Sequence, residues 1–201
     1  MKARALSVAL MFAAAALIQR PVDYQAVAVD TAKWIHTSRL ETPFGYAWAS
    51  DPRDQKTASA ALYGGSPGVI LFLLELNQAT GERAYLDDAK HGADELLTKI
   101  NTETRMGLYD GLAGIGFALG ETWRATNDDR YRRGALSVAR LLAKNAGVIG
   151  IGVRWNNSAD IMSGSAGIAL FLLYVDDVFH DRDSLTLAVR AGSHLLDIAI
   201  G

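Results

Sequence analysis

The sequence contains no cysteine. A disulfide framework, a thiolate zinc site and a cysteine nucleophile are therefore excluded from these residues. The absence fits an exported and a cytosolic protein equally. Charge of one sign is not in excess either, since 20 Lys and Arg face 22 Asp and Glu. That balance leaves no electrostatic footprint for nucleic acid. Clean polar–apolar alternation over six or more residues is missing, so strand signals are weak. The four histidines, His36, His91, His180 and His194, show no i, i+4 pair with a third ligand and read as surface or loop residues. What the chain does have is apolar content, at 50%. That is ample for one packed core at this length.

The N-terminus has the layout of a targeting segment. Lys2 and Arg4 precede an uncharged run from Ala5 to Ile18, and Arg20 and Pro21 end it. The run is short of the ~20 residues that span a bilayer, so no stable membrane span is expected. Residues 1–20 read as a secretory signal with small residues at Ala13 to Ala16, leaving 21–201 as one domain. An exported protein is the expectation. The alternative is a buried first helix of a cytoplasmic one.

Beyond the leader, one pattern recurs three times. Gly65-Ser-Pro-Gly68, Gly111-Leu-Ala-Gly114 and Gly164-Ser-Ala-Gly167 each open an apolar run, at spacings of 46 and 53 residues. Such periods mark a repeated supersecondary unit. After the second glycine comes a segment apolar nearly all round, as in a helix covered on most sides. A polar turn follows, then an outer segment with one apolar stripe. Tyr85, Tyr131 and Ser184 hold one common place after the glycine, and Ala89, Ala135 and Ala188 hold the next, one helical turn on. Three helical hairpins are predicted, an all-α fold. The six glycines read as structural, allowing positive φ and close approach of each helix start to its neighbour. An anion site at the helix N-termini is the weaker reading. The loops ahead of the glycine pairs, with the echo Gly45-Tyr-Ala-Trp48 and Gly152-Val-Arg-Trp155, are expected to share one end.

The segments Leu62 to Leu76, Gly107 to Phe117 and Asp160 to Leu173 resemble the lanthionine synthetase C family. The resemblance covers roughly Tyr24 to Gly201. It implies an α/α toroid of six to seven hairpins, of which this chain carries about three, the N-terminal half. It also implies zinc enzymes that add a substrate cysteine thiol to a dehydroalanine or dehydrobutyrine, closing a thioether ring. The family's zinc ligands, two cysteines and a histidine, match nothing here. No cofactor is expected in this chain, with zinc implied for a full-length homologue, and the chain alone is expected to be inactive. Asp160 matches the aspartate that opens the family's third motif and is the one catalytic candidate carried over, as acid/base or orienting carboxylate. A loop or N-cap carboxylate is its alternative.

Asp110, Trp48 and Trp155 are candidate cavity-lining residues; a cap and loop packing are the competing readings. A second function class is a secreted carbohydrate-active enzyme on a six-hairpin, glycosidase-like toroid, with Asp110 and Asp160 as its two carboxylates. A third is a non-catalytic peptide-binding scaffold. The expected partner is a peptide or a small molecule such as a carbohydrate. The open flanks of a half ring are expected to promote self-association.

Overall fold

A computed structural model describes residues 22–200. The export signal read over residues 1–20 lies outside these described residues. Helix α1 spans Tyr24–Thr37. Three hairpins follow: α2 (Ser66–Thr80) with α3 (Arg83–Lys99), α4 (Leu112–Thr126) with α5 (Asp129–Lys144), and α6 (Ser165–Phe179) with α7 (Arg182–Ile200). Two short antiparallel hairpins interrupt the loops, β1 (Leu40–Glu41) with β2 (Tyr46–Ala47), and β3 (Gly147–Ile149) with β4 (Gly152–Arg154). Strands of two and three residues are too short to show alternation, which is why the sequence pattern held no sign of them.

Two layers arise from two kinds of helix. The inner helices α2, α4 and α6 lie side by side in that order, and each outer helix packs on its own inner partner. Ile70, Leu73, Ile115, Leu119, Ile168 and Leu172 are fully buried on the inner helices. The outer helices bury one small-residue stripe: Ala89 and Ala93, Ala135 and Ala139, Ala188 and Ala191. Alanine there brings the two helix axes close without a rotamer cost.

The polar turn between inner and outer helix is the same device three times. Gly81, Asn127 and His180 each take a left-handed conformation, with φ of 72, 54 and 58°. Their N–H groups donate to the carbonyls of Asn77, Trp123 and Asp176 at 2.8, 2.7 and 2.8 Å. Each satisfies an otherwise orphaned carbonyl of the helix end.

One expectation about histidine is corrected. His194 is buried, at 8% exposure, because the β3–β4 hairpin lies on α7 and Gly152 meets it directly. His36 is exposed but pairs with Asp88 of α3, Nδ1 to Oδ2 at 2.6 Å.

Candidate functional site at the rim of the inner helices

All three inner helices open onto one rim, and backbone hydrogen bonds knit the rim together. The N–H of Tyr63 donates to the carbonyl of Tyr109 at 3.0 Å, and that of Tyr109 to Met162 at 2.9 Å. These residues stand at the same place in their units, five before the second glycine. A second bond recurs within each unit. The first helical N–H, of Ser66, Leu112 or Ser165, donates to the carbonyl of Ser59, Arg105 or Ser158 at 2.9, 2.9 and 3.0 Å.

This geometry explains the glycine pairs and corrects half of the expectation about them. None of the six glycines stands at positive φ; Gly65, Gly111 and Gly164 have φ of −143, −154 and −94°. The need is for space. A Cβ on any of the six would press on the carbonyl oxygen six residues earlier, at Ser59, Leu62, Arg105, Leu108, Ser158 or Ile161, inside 3.0 Å. The helix start lies against its own approaching loop, and only glycine clears it.

Asp160 sits on this rim, exposed. Its Oδ1 accepts the N–H of Met162 at 2.6 Å and of Ser163 at 2.8 Å, and its Oδ2 accepts the Ser158 hydroxyl. The Ser158 hydroxyl first, then the backbone N–H groups, hold its pKa down at about 2. The carboxylate thus stays ionised through the neutral range. It also caps a ladder. Tyr63 and Tyr109 give their N–H to the next unit, whereas Met162 gives its own to Asp160.

Asp110 comes to the same segment from the neighbouring unit. Its Oδ1 and the Ser163 Cα flank one point beside Gly107. That oxygen is shielded from solvent and has no hydrogen-bond partner among the described residues. Nearby, Arg105 forks onto Glu103 at 3.1 and 3.0 Å. Burial opposes ionisation of Glu103, but the Arg105 hydrogen bonds outweigh it and lower its pKa.

Trp48 and Trp155 occupy equivalent places, as their sequence echo suggests. Each indole N–H donates to a carbonyl 13 residues earlier, Ile35 at 3.0 Å and Leu142 at 2.7 Å. Trp48 is 3% exposed, and Trp155 packs half-buried beside Val153 and Ala191. Trp48 also borders a cleft of about 330 Å³ with Trp34, Pro52, Tyr63, Gly68 and Val69. A second cleft of about 440 Å³ runs under the β1–β2 hairpin between Thr42, Ser59, Glu95, Lys99 and Arg105. There the buried Glu95 accepts from Thr42 Oγ1 and pairs with Lys99 Nζ, both at 2.7 Å.

The sequence reading did not single out Tyr63, Trp34, Arg105 or Ser66. Tyr63 had a signal, because Tyr109 shares its place in the repeat. Ser66 had none. Its hydroxyl accepts the Trp48 backbone N–H at 3.1 Å across 18 residues of loop.

The zinc ligand set of the lanthionine cyclases does not fit these residues. The sequence has no cysteine, and no group of three or more His, Asp or Glu side chains could hold a metal ion among the described residues. Among the described residues no helix is long and apolar enough to cross a membrane.

Comparison with solved structures finds the same fold in glycoside-acting enzymes. The GH76A alpha-1,6-mannanase from Salegentibacter sp. HEL1_6 superposes with a TM-score of 0.66 at 20% identity, over 87% of this chain and 51% of that one. An inactive variant of that enzyme with two adjacent aspartates replaced, in complex with alpha-1,6-mannotetrose, gives 0.66 at 18% identity, with the same coverage, 87% and 51%. A second inactive variant, in complex with alpha-1,6-mannotriose, gives 0.62 at 17%, again over 87% and 51%. The chain spans about half the length of these structures, and the described hairpins are three of an α/α toroid. No curated protein matches it. The profile of the lanthionine synthetase C-like proteins matches residues 56–200. With all three glycine-opened units inside that match, the chain belongs to the lanthionine synthetase C-like family.

Proposed function

We propose that this chain forms the substrate-binding rim of a lanthionine synthetase C-like protein, and that the substrate it holds is a peptide. One observation supports the reading: three inner helices of the matched family open onto a single hydrogen-bonded rim that presents the exposed carboxylate of Asp160. In the family, a peptide thiol adds to a dehydroamino acid. The zinc ligands for that step are not among these residues, so no bond-making step is assigned here. The described residues would position the peptide. Asp160, ionised to about pH 2, suits an acceptor for a peptide N–H and cannot act as a general acid near neutrality.

A carbohydrate is the second reading, favoured by the mannanase likeness and by the exposed aromatics Tyr63 and Trp34 around the 330 Å³ cleft. Against it, the inactive mannanase variants change two adjacent aspartates. The adjacent pairs of this chain, Asp87-Asp88, Asp128-Asp129 and Asp176-Asp177, lie on an outer helix or at the opposite ends of the inner ones.

The test is calorimetric titration of the 201-residue chain with a peptide carrying cysteine and dehydroalanine, and in parallel with alpha-1,6-mannotetrose. Binding of the peptide, weakened at least tenfold by Asp160→Asn and without loss of free thiol, is the expected result. Binding and cleavage of the mannotetrose, with no peptide binding, would overturn it.

A further inference from the structure

We propose that the cleft of about 440 Å³ under the β1–β2 hairpin is a binding site for a ligand with one carboxylate and a small aliphatic body. Asp160 does not line this cleft, so the site is separate from the rim carboxylate. Its walls come from the hairpin, from the end of α3, and from the loops that lead into α2 and α4.

Both walls are fixed by internal bonds. Thr42 Oγ1 donates to Glu95 Oε2 at 2.7 Å and accepts the N–H groups of Phe44 and Gly45 at 3.2 and 3.0 Å. These bonds tie the hairpin to α3. On the other side, Glu103 accepts the N–H of Thr104 at 3.0 Å and of Arg105 at 2.9 Å, besides the Arg105 guanidinium. A wall already ordered adds little to the entropy cost of binding.

The polar groups of the cleft divide unevenly. The acceptors are taken up internally. Glu95 uses one oxygen for Thr42 and the other for Lys99, and both Glu103 oxygens accept from Arg105. Ser59 Oγ accepts the Ala61 N–H, and Ser66 Oγ accepts the Trp48 N–H, each at 3.1 Å. The donors are in surplus. The Lys99 ammonium has three N–H groups and pairs with Glu95 alone among the described residues. The fork of Arg105 uses Nε and Nη2 and leaves Nη1 without a partner among the described residues. Neither the Ser59 nor the Ser66 hydroxyl donates to a described residue, and Ser66 is only 3% exposed. Surplus donors call for a ligand group that only accepts, and an ionised carboxylate is one.

Charge decides which anion. Lys99 and Arg105 are balanced by Glu95 and Glu103, and both of these carboxylates are largely buried. One negative charge can share the two cations; a phosphate dianion would meet two carboxylates in a poorly solvated cleft. The remaining lining is apolar, with Leu40, Ala47, Ala60 and Leu96. The alanines leave room for a branched aliphatic group, whose burial adds to the binding. A small free acid and the C-terminus of a peptide both carry this chemistry.

Calorimetric titration of the 201-residue chain with N-acetylleucine, N-acetylleucinamide and inorganic phosphate reads the site. The acid should bind with a Kd of about 1 mM or tighter. The amide and phosphate should each bind at least about tenfold more weakly. Lys99→Gln and Arg105→Gln should each weaken the acid by at least about fivefold, while Lys144→Gln on α5, outside the cleft, leaves it unchanged. Lys99→Gln also strips Glu95 of its partner; the difference between acid and amide in the parent chain needs no substitution. A tetrapeptide ending in leucine with a free C-terminus separates the two sources. Tighter binding than N-acetylleucine assigns a peptide end, and equal or weaker binding assigns a small free acid. Equal binding of acid and amide, tighter binding of phosphate, or no binding of the acid overturns the proposal.

Discussion

Gly114→Ala is the substitution that isolates the logic of the rim. Helix propensity alone favours alanine by about 1 kcal/mol. The new Cβ, however, would press on the Leu108 carbonyl and come to 3.0 Å from the Leu62 Cβ. A backbone oxygen cannot rotate aside, so the loop ahead of α4 must move, at an overpacking cost of about 1–3 kcal/mol. The same loop carries both ladder bonds of Tyr109, at 3.0 and 2.9 Å. Each is worth about 1 kcal/mol. The net loss expected is about 2–4 kcal/mol after the propensity gain is set against it. For a domain of this size that lowers the melting temperature by roughly 5–12 °C. Gly192→Ala in α7 is the control, because nothing lies within 4 Å of its Cβ position. It should raise stability by up to about 1 kcal/mol. Thermal melts followed by circular dichroism read both, and hydrogen exchange at the Tyr63 and Tyr109 amides should quicken only in Gly114→Ala. If Gly114→Ala melts at or above the parent, the close-approach account of the glycine pairs is wrong.

Three further outcomes follow from named contacts. Asp160→Ala should lower the melting temperature at pH 7. The folded carboxylate titrates at about 2 against 3.8 for the free group. Its stabilisation is therefore complete above about pH 4 and vanishes as pH falls through 2; a gap between variant and parent that stays constant from pH 7 to pH 2 refutes this. Trp48→Phe and Trp155→Phe each remove one indole N–H bond, at 3.0 and 2.7 Å, for about 1 kcal/mol apiece. Urea denaturation should show the larger loss at the more buried Trp48. Glu95→Ala removes two bonds of 2.7 Å, to Thr42 and Lys99, and should cost about 1–3 kcal/mol; unchanged protection of the β1–β2 amides would show that this carboxylate does not hold the hairpin down.

The sequence by itself determined the repeat, its order, and which helices are inner and outer. Those features are local: an all-round apolar run and a one-sided stripe differ at 3.6-residue periodicity, and each can be read within about 15 residues. The echo of Trp48 and Trp155 was legible for the same reason. What needed the tertiary structure is everything that crosses between units. The bond from Tyr109 to Met162 joins one unit to the next, and no periodicity marks its donor or acceptor. The reason for the glycine pairs also lay there, since a carbonyl six residues back crowds the helix start only once the loop has folded over it. Asp160 stood out in the sequence only through the family resemblance, as the aspartate four residues before Gly164. That its oxygens cap the last rung of a ladder, and so stay ionised, depends on where the folded loop points the Met162 and Ser163 amides. Burial of His194 was hidden likewise, because the cover comes from a three-residue strand that only packing on α7 stabilises.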